Sequence, residues 1–151
     1  MQSTLAVVSL GTIQKNARAV IGAARRPLVA VIKDDAYGHG AYPVACALAD
    51  MVSLFAVSTV DEGAQLVHAG AAGDALVLTP PLTRDEAFRA RALGLIVTIS
   101  SAPVLRLVLR AGRGVRAHIA VNTGMNRYGF APDEVGEVCR IAKARGVFVE
   151  G

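Results

Sequence analysis

The chain has 151 residues, 53% of them hydrophobic and 5% aromatic, with a formal net charge of +4, which is ample for one α/β domain core rich in Ala, Val and Leu. The charge does not point to nucleic acid, because the thirteen arginines are spread along the chain without aromatic interleaving or a binding signature. No apolar run is long enough to span a bilayer, and Met1-Gln-Ser-Thr4 lacks the basic-then-apolar plan of a signal peptide, so cytoplasm is the default expectation.

Taken in order, Thr4 to Ser9 reads as a strand. Ile13 to Ala24 follows as a helix, with Ile13, Ala17, Val20, Ile21 and Ala24 at helical spacing and Arg25 and Arg26 at its end. From Leu28 the pattern alternates. Strands are expected at Leu28 to Ile32, Leu54 to Ser58, Ala75 to Thr79, Leu95 to Ile99, Arg116 to Val121 and Val147 to Val149. Helices are expected between them at Ala41 to Ala49, Val60 to Ala69, Arg84 to Leu93, Ala102 to Ala111 and Asp133 to Arg145. Thr59-Val-Asp-Glu62 and Thr83-Arg-Asp-Glu86 read as capping boxes, and Gly70, Gly94, Gly112 and Gly146 stand where helices should stop. The remaining arginines are expected on helix surfaces. Cys46 and Cys139 fall in helical stretches without metal-ligand spacing, which predicts buried free thiols.

This is the repeat of a parallel (β/α)8 TIM-type barrel, here about five βα units plus the start of a sixth strand, preceded by one strand and one helix. The last residues, Val147-Phe-Val-Glu-Gly151, lie inside a strand-like run, so the expectation is a piece of a longer protein. An open partial barrel would leave an apolar sheet edge prone to pairing.

One residue breaks the pattern. Lys15 and Lys143 fit solvated helix faces, whereas Lys33 closes the apolar run Val29-Ala-Val-Ile32 and opens a Gly-punctuated turn. An amine at the end of a buried strand must snorkel, pair, neutralise or react, and the reactive outcome is a Schiff base with a carbonyl compound or with pyridoxal phosphate.

Lys33-Asp-Asp-Ala-Tyr37-Gly38-His39-Gly40 resembles the pyridoxal-phosphate attachment motif of alanine racemases, which usually carries Ala where this chain has Asp34. A second stretch, His118-Ile-Ala-Val-Asn-Thr-Gly-Met-Asn-Arg-Tyr-Gly-Phe130, is similar to that family's strand ending in Asp-Thr-Gly-Met-x-Arg-x-Gly. Phe55-Ala-Val-Ser-Thr-Val-Asp-Glu62 and Ala75-Leu-Val-Leu78 resemble its second and third strands. The two site motifs stand in order at the ends of two predicted barrel strands, the end where barrel active sites lie.

The resemblance implies an isomerase that interconverts L- and D-alanine with pyridoxal 5'-phosphate and supplies D-alanine for peptidoglycan. Its full-length form would be a homodimer; the spread arginines and the lack of a long apolar run point to no nucleic-acid or membrane partner, and no metal is expected. Residues 1–10 would give a strand that pairs with a C-terminal β-domain, and residues 11–151 the N-terminal part of the cofactor barrel. Lys33 would hold the cofactor and act as base on one face of the substrate. Tyr37 would donate its hydroxyl to the cofactor phosphate, and Arg127 would approach the cofactor's phenolic oxygen and the substrate carboxylate. His39, between two glycines, is read as shaping the turn.

The chain departs from the family at Ala120, where a lysine that braces the arginine is usual, and at Asn122, where Asp is usual. Arg127 is thus expected to lack an anionic partner. The opposite-face base and most of the phosphate cup would lie in family regions past residue 151, so these residues alone are expected to bind the cofactor weakly and not to racemise alanine. Other readings are a non-catalytic pyridoxal-phosphate barrel protein, a racemase of another small amino acid such as serine, and a degenerate piece used for association.

Overall fold

The structure is a computed structural model and describes residues 4–71 and 73–151. Helix α1 (Leu10–Ala24) precedes the alternation β1 (Val29–Val31), α2 (Lys33–Gly38), α3 (Ala41–Leu48), β2 (Leu54–Val57), α4 (Val60–His68), β3 (Ala75–Val77), α5 (Arg84–Ala92), β4 (Ile96–Ile99), α6 (Ala102–Arg110), β5 (Arg116–Ile119), α7 (Val135–Ala144) and β6 (Phe148–Val149). The six strands form one parallel sheet in the order β1-β2-β3-β4-β5-β6. Its succession of strand and helix is that of a partial (β/α)8 barrel, and the sheet is not closed.

Local chemistry sets the helix ends. The side chains of Ser9, Thr59, Thr83 and Ser101 each accept a first-turn amide of the helix they precede, replacing partners that a helix start lacks. Gly70, Gly94, Gly112 and Gly146 all take positive φ, as the stop signals require. Arg25 ends α1 in the left-handed region at φ 51°, its amide donating to the Ile21 carbonyl.

The core lies between sheet and helices. Every residue of β2 and β4 is buried, as expected where both faces of a parallel strand are covered. Ala45, Ala87, Ala90, Val108 and Ala142 are fully buried on the helix side. Gly63 in α4 approaches Leu95, the residue before β4, so closely that an added Cβ would lie 2.8 Å from its Cδ1. The edges are different: Val29 and Val31 of β1 are 45% and 42% exposed, and Phe148 of β6 is 62% exposed.

Three expectations are corrected. Residues 4–9 form no strand, having no neighbouring strand to pair with among the described residues, and residues 1–3 lie outside those. Cys46 is exposed and Cys139 half-buried, so neither thiol is a buried one. Helix α3 turns Val44, Ala45 and Leu48 inward, which puts position 46 on the opposite face. Arg113 does not coat a helix but lies in the turn between α6 and β5, while Arg116 opens β5, where the strand Arg116 to Val121 is expected. No helix among the described residues is long and apolar enough to cross a membrane.

Candidate active site

The first loop at the C-terminal edge of the sheet begins where β1 loses its ladder. The Ile32 amide still donates to the Ala56 carbonyl at 2.8 Å, so Lys33 is the first residue past the strand. It is half-buried. Asp34, Asp35, Ala36 and Tyr37 then take φ of 52°, 53°, 53° and 55°, a left-handed helical turn of four non-glycine residues. Such a conformation costs about 1–2 kcal/mol per residue, least for Asp and Asn.

Specific bonds hold that turn. The Ala36 amide donates to the Ile32 carbonyl at 3.0 Å and the Gly40 amide to the Asp35 carbonyl at 2.9 Å. The Ala41 amide donates to Asp35 Oδ1 at 2.7 Å. The His39 ring Nδ1 lies 2.8 Å from the Ala36 carbonyl oxygen, which accepts from it, so His39 shapes the turn. Most informative is Glu62, whose Oε1 accepts from the Asp34 amide at 3.1 Å while its Oε2 accepts from the Ser58 amide at 2.6 Å. One carboxylate on α4 thereby ties the residue after Lys33 to the end of β2.

The second loop leaves β5. Its ends are closed by two bonds, from the Asn122 amide to the Phe130 carbonyl and from the Phe130 amide to the Ala120 carbonyl, both at 2.9 Å. Asn122 Oδ1 accepts from the amides of Gly124 and Asn126 at 3.1 Å each, and Asn122 Nδ2 donates to Asn126 Oδ1 at 3.0 Å. The Asn122 side chain is thus committed to the loop backbone and to Asn126. Gly129 packs where nothing larger fits, since a Cβ there would lie 2.7 Å from the Asn122 nitrogen.

Because the sheet is parallel, Lys33 after β1 and Arg127 after β5 stand at the same end of it, with Tyr37 in the Lys33 turn. Tyr37 is 59% exposed. Arg127 is exposed and makes no ion pair with a carboxylate among the described residues. Its neighbour is Tyr128: the guanidinium carbon lies 4.7 Å from the Tyr128 ring centroid, and Nη2 donates to the Tyr128 hydroxyl at 3.2 Å. That hydroxyl donates in turn to the Leu78 carbonyl at 3.0 Å, past the end of β3. Since neighbouring strands stand about 4.8 Å apart, the loop bends across two strand positions towards the barrel mouth.

Sequence reasoning missed Glu62 and Tyr128. Glu62 carried the signal of a capping glutamate, and half of that box is present: Thr59 Oγ1 accepts the Glu62 amide at 3.2 Å. Its carboxylate is diverted to Ser58 and Asp34, whereas Glu86 completes the reciprocal box with Thr83. Tyr128 carried no signal beyond its place beside Arg127.

The opposite end of the sheet carries a different group of charges. Arg116 donates to both oxygens of Asp74 at 2.6 Å and to Glu150 at 2.6 and 3.0 Å. The hydrogen bonds from Arg116 hold the Asp74 carboxyl below the usual carboxylate range. Asp74, and then Glu150, raise the Arg116 guanidinium further. In barrels that end serves stability and the strand C-termini serve chemistry. A broad concavity of about 750 Å³ beside Arg113, Lys143 and Phe148 lies along the unpaired flank of β6 and not at Lys33. Among the described residues no group of three or more His, Cys, Asp or Glu side chains could hold a metal ion.

Residues 8–151 match the family model of the alanine racemase N-terminal domain. The alanine racemase of Nitratidesulfovibrio vulgaris is 40% identical over 137 residues, covering 88% of this chain and 36% of that protein. The alanine racemase of Symbiobacterium thermophilum is 35% identical over 158 residues, covering 100% of this chain and 42% of that protein. The solved structure of the biosynthetic alanine racemase from Pseudomonas aeruginosa superposes with a TM-score of 0.78 at 30% identity, covering 90% of this chain and 39% of that one. The chain therefore spans well under half the length of the relatives it matches. A family match that runs from residue 8 to the last residue, on a fold that follows the same path, shows that this chain belongs to the alanine racemase N-terminal domain family.

Proposed function

We propose that this chain is the cofactor-bearing barrel segment of an alanine racemase, a cytoplasmic, homodimeric enzyme that interconverts L- and D-alanine with pyridoxal 5'-phosphate and supplies D-alanine for peptidoglycan. The observation that carries the proposal is Lys33, the first residue past the β1 ladder, at the same end of a parallel sheet as Arg127.

The donor set fits the cofactor. Neither Lys33 nor Arg127 is taken up by an ion pair among the described residues, and the Tyr37 ring is mostly in solvent. Lys33 would hold the cofactor carbonyl carbon, Tyr37 would bind the phosphate through its hydroxyl, and Arg127 would face the phenolic oxygen and the substrate carboxylate. A guanidinium suits that last role because it stays charged and presents several donors in one plane. Pyridoxal phosphate, when bound, supplies an electron sink for a carbanion at the amino-acid α-carbon. Lys33, once released, would take or return the α-proton on one face. Its strand-end position, with the next peptide held by Glu62, fixes the main chain from which that amine projects.

The base for the other face and most of the phosphate-binding groups are assigned to further residues of the whole enzyme. Residues 1–10 are assigned to pairing with its β-domain, a reading supported by the exposure of Leu5 and Val7, which lie in residues 4–9 that make no ladder here. These 151 residues alone then bind the cofactor weakly and do not racemise alanine. The test is conversion of L- to D-alanine, followed by chiral chromatography, for the full-length protein that carries this chain and for the chain alone. Turnover by the former, lost in Lys33→Ala, is expected. No turnover by the full-length protein overturns the reading, and turnover by the chain alone overturns the assignment of the second base.

A further inference from the structure

Arg127 is an exposed, long side chain on a loop, and such a side chain would ordinarily spread over many rotamers. Here two contacts with the next residue restrain it. The guanidinium stacks over the Tyr128 ring at 4.7 Å, and Nη2 donates to the Tyr128 hydroxyl at 3.2 Å. A hydroxyl has one proton to give and can accept more than one. Tyr128 uses both capacities, accepting from Arg127 and donating to the Leu78 carbonyl at 3.0 Å. The Leu78 amide is itself bonded to the Val57 carbonyl at 2.9 Å, so the chain of contacts ends on the rigid rim of β2 and β3.

The loop supplies no alternative brace. Asn122, the nearest amide side chain at the start of the loop, spends its carbonyl on Gly124 and Asn126 and its amino group on Asn126. Residue 120, one position past the β5 ladder, is an alanine.

We propose that Tyr128 is the positioning residue of Arg127, fixing the guanidinium at the barrel mouth by stacking and by a hydroxyl anchored on the Leu78 carbonyl. This rests on the reading above, in which Arg127 meets the carboxylate of a small amino acid. The arginine is then presented already ordered, and the ordering comes from an aromatic ring and a main-chain carbonyl without a carboxylate.

The test compares Tyr128→Phe, which keeps the ring and loses the hydroxyl, with Tyr128→Leu, which loses both, in the full-length protein. In NMR spectra the Arg127 Hδ protons are expected to show an upfield ring-current shift that persists in Tyr128→Phe and vanishes in Tyr128→Leu. The Arg127 Nη2 protons, which donate to the Tyr128 hydroxyl, are expected to exchange with solvent faster in both. For alanine, KM should rise about threefold in Tyr128→Phe and about tenfold or more in Tyr128→Leu with kcat within twofold, since the arginine would bind the carboxylate in ground and transition states alike. In an Arg127→Ala background Tyr128→Leu should add no further rise.

Unchanged Arg127 signals in Tyr128→Leu would overturn the proposal, as would a KM effect that survives undiminished in the Arg127→Ala background. The NMR comparison decides whether Tyr128 holds Arg127 even for a protein with no racemase activity, so failure of the brace and failure of the enzyme reading are told apart.

Discussion

Glu62 and Glu86 occupy equivalent places in two Thr-x-x-Glu sequences, yet only Glu62 reaches the turn that follows Lys33. Replacing Glu62 with Ala removes the acceptor of the Ser58 amide at 2.6 Å and of the Asp34 amide at 3.1 Å. Hydrogen bonds to ionised groups contribute about 1.5–3 kcal/mol each when well shielded, and the Asp34 bond is exposed, so a loss of about 2–3 kcal/mol for the pair is expected. Glu86→Ala removes bonds to Leu82 and Thr83 that serve only its own helix start, which predicts about 1 kcal/mol. The four left-handed residues then lose one of the few bonds that hold them. Urea unfolding measures the two stabilities, and amide hydrogen exchange reads the turn directly. Glu62→Ala should speed exchange at Asp34 by about tenfold or more, each tenfold corresponding to about 1.4 kcal/mol, while Glu86→Ala leaves it unchanged. Glu62→Gln, which keeps one acceptor oxygen, should fall between. Equal losses for Glu62→Ala and Glu86→Ala with no change at the Asp34 amide would refute the reasoning.

The other predictions concern the second loop, the charges at the opposite end and the thiols. Gly129→Ala should destabilise by about 2–4 kcal/mol in urea unfolding, because φ there is 122° and the new Cβ meets the Asn122 nitrogen at 2.7 Å. Gly136→Ala in α7, where a Cβ meets nothing within 4 Å, should instead stabilise by about 0.5–1 kcal/mol. Asp74 has its folded-state carboxyl lowered by Arg116, so its contribution is present above the ordinary carboxylate range and lost as pH falls through the folded value. With Asp74 half-exposed, that contribution is at most about 1 kcal/mol. Asp74→Asn should flatten the acid limb of stability against pH, and an unchanged limb would contradict the pairing. Iodoacetamide should label exposed Cys46 before half-buried Cys139, as peptide mass spectrometry would show; the reverse order would contradict the placement of position 46.

The barrel pattern was legible because each unit repeats its signals. Buried strands read as short apolar runs, Thr59, Thr83 and Ser101 mark helix starts, and Gly70, Gly94, Gly112 and Gly146 mark stops. Observed elements differ from expectation mainly by a residue or two at their ends, as where β5 stops at Ile119 because Ala120 and Asn122 turn to the Phe130 bridge. The left-handed turn was not legible. Asp34, Asp35, Ala36 and Tyr37 carry no propensity for it strong enough to read alone, and its supports come from Glu62 in the next unit and from His39. Long-range partners were hidden for the same reason: nothing near Tyr128 in sequence announces Leu78, and nothing near Arg116 announces Asp74. Thr4 to Ser9 has the apolar run of a strand, but a strand needs a neighbour, and the described residues give it none.

The central claim is that Lys33 is the amine that carries pyridoxal phosphate, and the chain has only two other lysines, Lys15 and Lys143. Incubation with pyridoxal phosphate, borohydride reduction and peptide mass spectrometry read the attachment site directly. In the full-length protein that carries this chain, the account predicts a reduced adduct on Lys33, formed at sub-stoichiometric levels of cofactor and absent in Lys33→Ala. Labelling of Lys15 or Lys143 in preference, with Lys33 unmodified, would contradict it.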